Sequence, residues 1–348
     1  MSLTEFIQVR LNRFVQSIRP VHLQSILGQI IMSVLAVNHL QKHYREKGKT
    51  IAAVQDVSLN LNMGEVLAFL GPNGAGKTTT IKMIAGLIRP DAGQVSIVGR
   101  NPHRDSAALR QLGAVLEGNR NLYWRLTAAE NLEYFGVLRG ISRRLARQRG
   151  QHLLERFGLM DKRNTVVQKL SRGMQQKLAI AVSLVHDPQL LLLDEPTLGL
   201  DVEATQTVKQ LIREIAAEGR AILLTTHQLD IAEELSDRVA IIQRGVLVAQ
   251  ESTADLIRQF AGTAYILELE LPLEGDRRTK LEAMGVDLGT DLGDRTLVLH
   301  DATLLYPVLD ILKPLPLLRI EKEQATLTEV FLRLVNPGKE PMKEGDRP

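Results

Sequence analysis

The chain has 348 residues, enough for one large domain with a smaller companion or for two of medium size. Hydrophobic residues make up 44% and charged residues 24%, which excludes collagen-like, mucin-like and wholly disordered chains. A net charge of +3 from 43 basic and 40 acidic residues is too weak to mark a nucleic-acid binder, and the absence of cysteine excludes disulfide scaffolds, thiol nucleophiles and thiolate zinc sites.

No apolar run approaches the ~20 residues that span a bilayer. Residues 1–31 stand apart, with Arg10, Arg13 and Arg19 but only Glu5 as an acid. Phe6, Ile7, Leu11, Phe14, Val15 and Ile18 recur near a helical period. This segment reads as a leader, either amphipathic on a membrane surface or disordered, or as sequence ahead of a start at Met32. Strands are predicted over Val34–Leu40, Ile51–Leu61 and Glu65–Leu70. Helices follow over Lys77–Gly86, Ala128–Leu138, Leu145–Phe157 and Ser171–Val185. Leu190–Leu193 is a strand, Val202–Ala217 a helix and Ala221–Thr225 a strand. Strands alternating with helices predict an α/β domain with a largely parallel sheet, and the early strands suggest an antiparallel side sheet. From about Gly262, strands at Ala264–Leu271, Thr296–Leu299 and Leu315–Glu321 alternate with helices at Arg278–Met284, Thr303–Leu312 and Thr328–Leu334. That is a small α+β domain, and the Pro-, Lys- and Glu-rich tail reads as disordered.

Gly71-Pro72-Asn73-Gly74-Ala75-Gly76-Lys77-Thr78 matches G-x-x-x-x-G-K-[ST] between a predicted strand and a predicted helix. Its glycines let backbone N–H groups turn toward phosphate oxygens, and the helix adds its positive end. Lys77 is placed to reach the β- and γ-phosphates, and the Thr78 hydroxyl to hold Mg²⁺. Leu190–Leu193 delivers Asp194 and Glu195 to the carboxyl edge of the sheet, where open α/β sheets bind ligands. Asp194 offers a hard oxygen ligand for Mg²⁺, and Glu195 a base for a water attacking the γ-phosphate.

With these elements in order, the chain resembles the ATP-binding subunit of an ABC transporter, of the exporter type with a C-terminal accessory domain. Leu170-Ser-Arg-Gly-Met-Gln-Gln176 resembles the family signature Leu-Ser-Gly-Gly-Gln, with Arg172 and Met174 as departures. The resemblance implies a P-loop NTPase core (32–261) with an antiparallel side sheet and a helical subdomain. It also implies an accessory domain (262–336), with a disordered tail at 337–348. Lys77, Glu195 and His227, the last matching the switch histidine after Thr225-Thr226, are the implied catalytic residues. Residues Gly71 to Thr79, the adenine-stacking Tyr44 ahead of the first long strand, Asp201 of the D-loop, and Ser171 and Gly173 are the implied nucleotide contacts. The last two act from the opposite subunit of an ATP-sandwiched dimer. Thr78, Asp194 and Glu117 are the implied Mg²⁺ ligands, Glu117 standing where the family has Gln. The implied cofactors are ATP and Mg²⁺. The implied partners are membrane permease subunits and a second ATPase subunit, a homodimer being the simplest case. The implied location is the cytoplasmic face of the membrane. Residues 119–131, with Tyr123, Trp124 and Arg125, match the region facing the membrane subunit. The five arginines of 139–149 read as a solvated helix face, or as a contact for lipid headgroups or an acidic partner loop. Two other readings stand beside this one: a soluble ABC ATPase acting outside transport, and a regulatory subunit that binds ATP but barely hydrolyses it.

Overall fold

A computed structural model describes residues 33–46, 49–116, 121–260, 264–273, 275–289, 295–322 and 325–335. The leader at 1–31, the tail at 337–348 and Glu117 lie outside the described residues. Packing divides the chain into a first unit ending at Glu251 and a second beginning at Ser252.

The first unit is organised by one nine-stranded sheet. In chain order its strands are β1 (Ser33–Glu46), β2 (Lys49–Asn62), β3 (Val66–Leu70), β4 (Ala92–Ile97), β5 (Leu112–Val115), β6 (Leu190–Asp194), β7 (Ala221–Thr225), β8 (Arg238–Gln243) and β9 (Val246–Ser252). Across the sheet they lie β4-β1-β2-β9-β8-β3-β7-β6-β5. β1 pairs antiparallel with β2 and β4, whereas β8, β3, β7, β6 and β5 form the parallel half. Parallel strands covered on both faces need continuous apolar sequence. Val66–Leu70, Leu190–Leu193 and Ala221–Leu224 supply it, every residue being buried. Truncating one such leucine to alanine costs about 2–5 kcal/mol.

The helices of this unit are α1 (Lys77–Ile84), α2 (Ser106–Arg110), α3 (Ala128–Leu138), α4 (Arg143–Arg156), α5 (Arg172–Leu184), α6 (Val202–Ala217) and α7 (Leu229–Leu235). Several starts are written in side chains. Thr127 and Glu130 form a reciprocal capping box on α3, Ser142 caps α4, Ser171 caps α5 and Asp201 caps α6. On the arginine-rich α4, Arg143 and Arg147 both pair with Glu133, and Arg149 pairs with Asp187. Arg139, just ahead of it, donates to the Leu109 carbonyl. Most of this positive charge is therefore paired within the chain, with Arg143 and Arg147 still largely exposed to solvent.

The second unit opens with α8 (Thr253–Phe260), which packs on the closing helix α11 (Leu327–Val335). The division therefore falls ten residues ahead of the boundary expected at 261/262. Between these helices run β10 (Tyr265–Leu269), α9 (Asp276–Ala283), β11 (Asp287–Gly289), β12 (Thr296–Leu299), α10 (Leu305–Leu312) and β13 (Leu317–Lys322). The strands form an antiparallel sheet in the order β11-β12-β10-β13. This βαββαβ arrangement is ferredoxin-like. Leu267, Leu269, Leu297 and Leu299 share one core with Leu281, Val308 and Leu312 of the two helices.

His186, just beyond α5, contributes an acid sensitivity to the first unit. Its Nε2–H donates to the Leu112 carbonyl at 3.1 Å, while Nδ1 is buried without a hydrogen-bond partner. Burial, reinforced by the Arg139 charge, pulls its pKa from 6.5 down to about 4. The unfolded chain therefore binds a proton here that the folded chain rejects, so stability falls as pH drops from 6.5 toward 4. Urea unfolding at pH 7 and pH 4.5 is expected to show wild type losing about 2–3 kcal/mol more than His186→Leu across that range.

Candidate active site

The parallel register brings the chemistry to one edge. Phe69 of β3 lies opposite Thr225 of β7, and Thr225 lies opposite Asp194 of β6. The carboxyl ends of these three strands thus emerge side by side, each followed by one of the sequence-predicted site elements.

After β3 the chain turns through Gly71–Gly76 into α1. The turn leaves no room for side chains at its ends. A Cβ on Gly71 would lie 2.3 Å from the Ile242 carbonyl oxygen, and one on Gly76, at φ +113°, 2.5 Å from that of Ala53. Lys77 bends back over the loop, its Nζ donating to the carbonyls of Gly71 and Pro72. Burial lowers the Lys77 pKa, and the negative charges of Glu195 and Asp194 oppose that shift. The two carboxylates thus help hold an ammonium in a partly desolvated place.

Asp194 is buried at the end of β6, and its Oδ1 accepts a hydrogen bond from the Thr225 hydroxyl. Glu195 follows at φ +51°, a left-handed conformation uncommon outside glycine, with its N–H donating to the Thr225 carbonyl at 3.0 Å. Its Oε2 is buried, lies 3.0 Å from His227 Nδ1, and accepts no aligned hydrogen bond. That oxygen keeps its lone pairs free for the proton of a water. Asn73, Gly74, Ala75, Gly76, Lys77, Thr78, Thr79, Asp194, Glu195 and His227 therefore line one cleft of ≈ 420 Å³. The Thr78 hydroxyl and Asp194 carboxylate give it two hard oxygen donors. This is the sparse set that suits Mg²⁺, which takes its remaining ligands from water and phosphate.

Other expected contacts lie elsewhere. Ser171 Oγ caps α5 by accepting from Met174 N at 3.3 Å, and Asp201 Oδ1 caps α6 by accepting from Ala204 N at 2.8 Å. Ser171, Gly173 and Asp201 do not line the Lys77 cleft. Nor does Tyr44, which lies within β1 rather than ahead of the first long strand, 38% exposed, with Lys42 Nζ 5.7 Å from its ring centre. The capping serine retains its O–H as a donor toward whatever covers the helix start.

Four contacts escaped the sequence reading. The buried Thr225 hydroxyl holds Asp194. The Thr197 hydroxyl donates to Gln228 Oε1 at 2.9 Å, tying the turn after Glu195 to the turn after β7. A Cβ on Gly173 would meet that of Ala204 at 2.8 Å, so α5 and α6 begin in contact. The Arg172 guanidinium lies against Gly199, where at φ +69° a Cβ would approach it to 2.6 Å. Leu198-Gly199 signals a turn in the sequence, but nothing local says that an arginine 27 residues earlier fills the space beside it.

The family model for ABC transporter matches residues 54–198. The ABC transporter ATP-binding protein NatA of Bacillus subtilis (strain 168) is 38% identical over 216 residues, covering 62% of this chain and 88% of that protein. The chain belongs to the ABC transporter family. The Nod factor export ATP-binding protein I of Burkholderia orbicola (strain AU 1054) is 37% identical over 306 residues, covering 87% of this chain and 98% of that protein, and so reaches into the second unit. Among solved structures, a dimeric ATP-binding cassette in a post-hydrolysis state bound to ADP and Pi aligns with TM-score 0.58 and 28% identity, covering 63% of this chain and 98% of that one. The first unit is thus an ABC cassette on a P-loop NTPase fold, and the protein is an ATPase that energises transport.

Two substitutions separate packing from chemistry in this cassette. Thr225→Val strips Asp194 of its buried donor. It is expected to lower the ATPase rate by about tenfold or more and to destabilise the fold by about 1–3 kcal/mol, read by steady-state kinetics and urea unfolding. Gly199→Ala adds a methyl at a left-handed position facing Arg172. It is expected to lower stability by about 1–3 kcal/mol in the same unfolding assay, and Arg172→Ala in the same chain to return part of that loss.

Proposed function

We propose that two copies of this chain bind two ATP molecules between them and drive a separate membrane-spanning permease, in the direction of export. The observation that carries this reading is the division of the phosphate-facing groups. Lys77, Thr78, Asp194, Glu195 and His227 line one cleft, whereas Ser171 and Gly173, at the start of another helix, are absent from it. A nucleotide held by both sets therefore calls for a second chain. The relative solved as a dimeric cassette supports that arrangement.

In this reading the loop from Gly71 to Thr79 wraps the phosphates, Lys77 neutralises the β- and γ-phosphates, and Tyr44 stacks on adenine. Thr78 and Asp194 hold Mg²⁺, which when bound offsets phosphate charge and orients the terminal phosphoryl group. Glu195 takes the proton of the attacking water through its free Oε2. His227, whose Nδ1 lies 3.0 Å from that oxygen, donates through Nε2 toward the γ-phosphate. Ser171 and Gly173 of the second chain close over the same phosphate, and Asp201 stands beside them. Because the γ-phosphate bridges the two chains, ATP favours the closed pair and ADP releases it.

The docking face for the permease is an exposed aromatic patch. Tyr123, Trp124 and Tyr134 expose two-fifths to one-half of their surface, with Val137 and Leu138 exposed nearby. Buried Asn131 holds the loop beneath them by accepting from Tyr123 N and donating to the Tyr123 and Thr127 carbonyls. Aromatic side chains on a rigid support suit a protein partner. No helix among the described residues is long and apolar enough to cross a membrane. Engagement of the bilayer then runs through the permease, at its cytoplasmic face. Export is drawn from the names of the relatives, Nod factor export and daunorubicin/doxorubicin resistance among them.

Glu195→Gln is expected to bind ATP normally while hydrolysing it about 100-fold or more slowly. Equal rates in the two proteins would remove Glu195 from catalysis. Purified from its native host in mild detergent with ATP and Mg²⁺, the same variant is expected to bring down a polytopic membrane protein in stoichiometric amount. Recovery of the chain alone, or with ribosomal or DNA-bound proteins, would overturn the transport reading.

A further inference from the structure

The second unit ends its sheet on an open strand. β13 pairs with β10 on one side, and among the described residues nothing pairs with the other. Leu317, Leu318 and Ile320 are 36%, 64% and 45% exposed, although Ile320 shares the face of the fully buried Leu267 opposite it. A strand with three exposed apolar side chains and a free row of backbone donors and acceptors is a template for another strand.

The charges on β13 point to what that strand is. Arg319 and Glu321 sit on one face, two residues apart, and already attract each other within the chain. A second copy added antiparallel across a two-fold axis normal to the sheet must pair residues of equal facing, so each permitted register centres on a residue. Centred on Arg319 or Glu321, the pair sets Arg against Arg or Glu against Glu. Centred on Leu317 or Leu318, it sets Pro316, which has no N–H, opposite Leu318 or Ile320, and centred on Lys322 it sets Lys against Lys. Centred on Ile320, it sets Arg319 against Glu321 of the other copy twice over and Ile320 against itself. Opposite charges directly across strands stabilise and like charges destabilise, so one register is selected.

We propose that β13 is a homotypic interface through which two copies of this chain join their second-unit sheets edge to edge, in register about Ile320. The contact needs no nucleotide. It would keep two ATPase chains together while hydrolysis opens the ATP-bridged pair.

Because the chain has no cysteine, single thiols test this cleanly. Full-length Ile320→Cys, stripped of nucleotide and mildly oxidised, is expected to form a disulfide-linked dimer. Tyr306→Cys, 76% exposed on α10, is expected not to. Adding Glu321→Arg, which faces Ile266 across its own sheet, should cut the cross-linked yield about tenfold by placing Arg opposite Arg twice. Adding Arg319→Glu to that protein should restore the yield to within about twofold. An unchanged far-UV circular dichroism spectrum and urea-unfolding transition in each variant show that the fold is intact. If the Ile320→Cys protein stays monomeric, the proposal is overturned and the edge is left for a strand of another protein. Equal cross-linking of the Tyr306→Cys protein, or no recovery in the charge-swapped chain, overturns the register. None of these outcomes bears on whether ATP is held between two cassettes.

Discussion

The cassette depends on the alignment of three parallel strand ends. β3, β7 and β6 hydrogen-bond in register, so the phosphate loop, the histidine turn and the two carboxylates leave the sheet at the same height. Thr225 is the centre of that alignment. Its backbone pairs toward Phe69 on one side and Asp194 on the other, its carbonyl receives the Glu195 N–H, and its hydroxyl donates to Asp194. Charge can be gathered there because the strands behind it are wholly apolar and hold their register by packing. The carboxylates of Asp194 and Glu195 then help keep the Lys77 ammonium charged in a partly desolvated place.

Much of this is legible in the sequence. The loop Gly71–Thr78, the strand Leu190–Leu193 and the helix Val202–Ala217 each carry a local pattern that admits few alternatives. Their juxtaposition follows from the rule that ligands sit at the carboxyl edge of parallel strands. What stayed hidden depends on partners distant in sequence. β8 begins with Arg238, which reads as surface until Glu65 is found 2.8 Å away. β4 and β9 are only partly buried and show weak alternation. In the second unit the strands at Thr296–Leu299 and near Ala264 and Leu315 were readable. The order that places β10 between β12 and β13 was not, because antiparallel pairing across long connections leaves no local trace. Thr225 looked like the last residue of an apolar strand. Only the neighbouring strand shows that its hydroxyl has a task.

The departures from the family signature acquire a physical sense in the same way. Arg172, replacing a glycine, occupies the side of Gly199, and Gly173 abuts Ala204. The segment proposed to face one nucleotide and the turn leading to Asp201 are thus in van der Waals contact within a single chain. Motion of either is resisted by the other. Thr197 and Gln228 extend that connection to the histidine turn.

Glu195 holds a left-handed backbone that glycine or asparagine would adopt more readily. Its side chain is also half-committed, close to His227 yet without an aligned hydrogen bond. Both features cost folding free energy at the residue proposed as the base. A population of variants selected only for resistance to heat would therefore drift away from glutamate at this position, reaching a sturdier cassette that has forgotten how to turn over. Durability and turnover are opposed at this one residue.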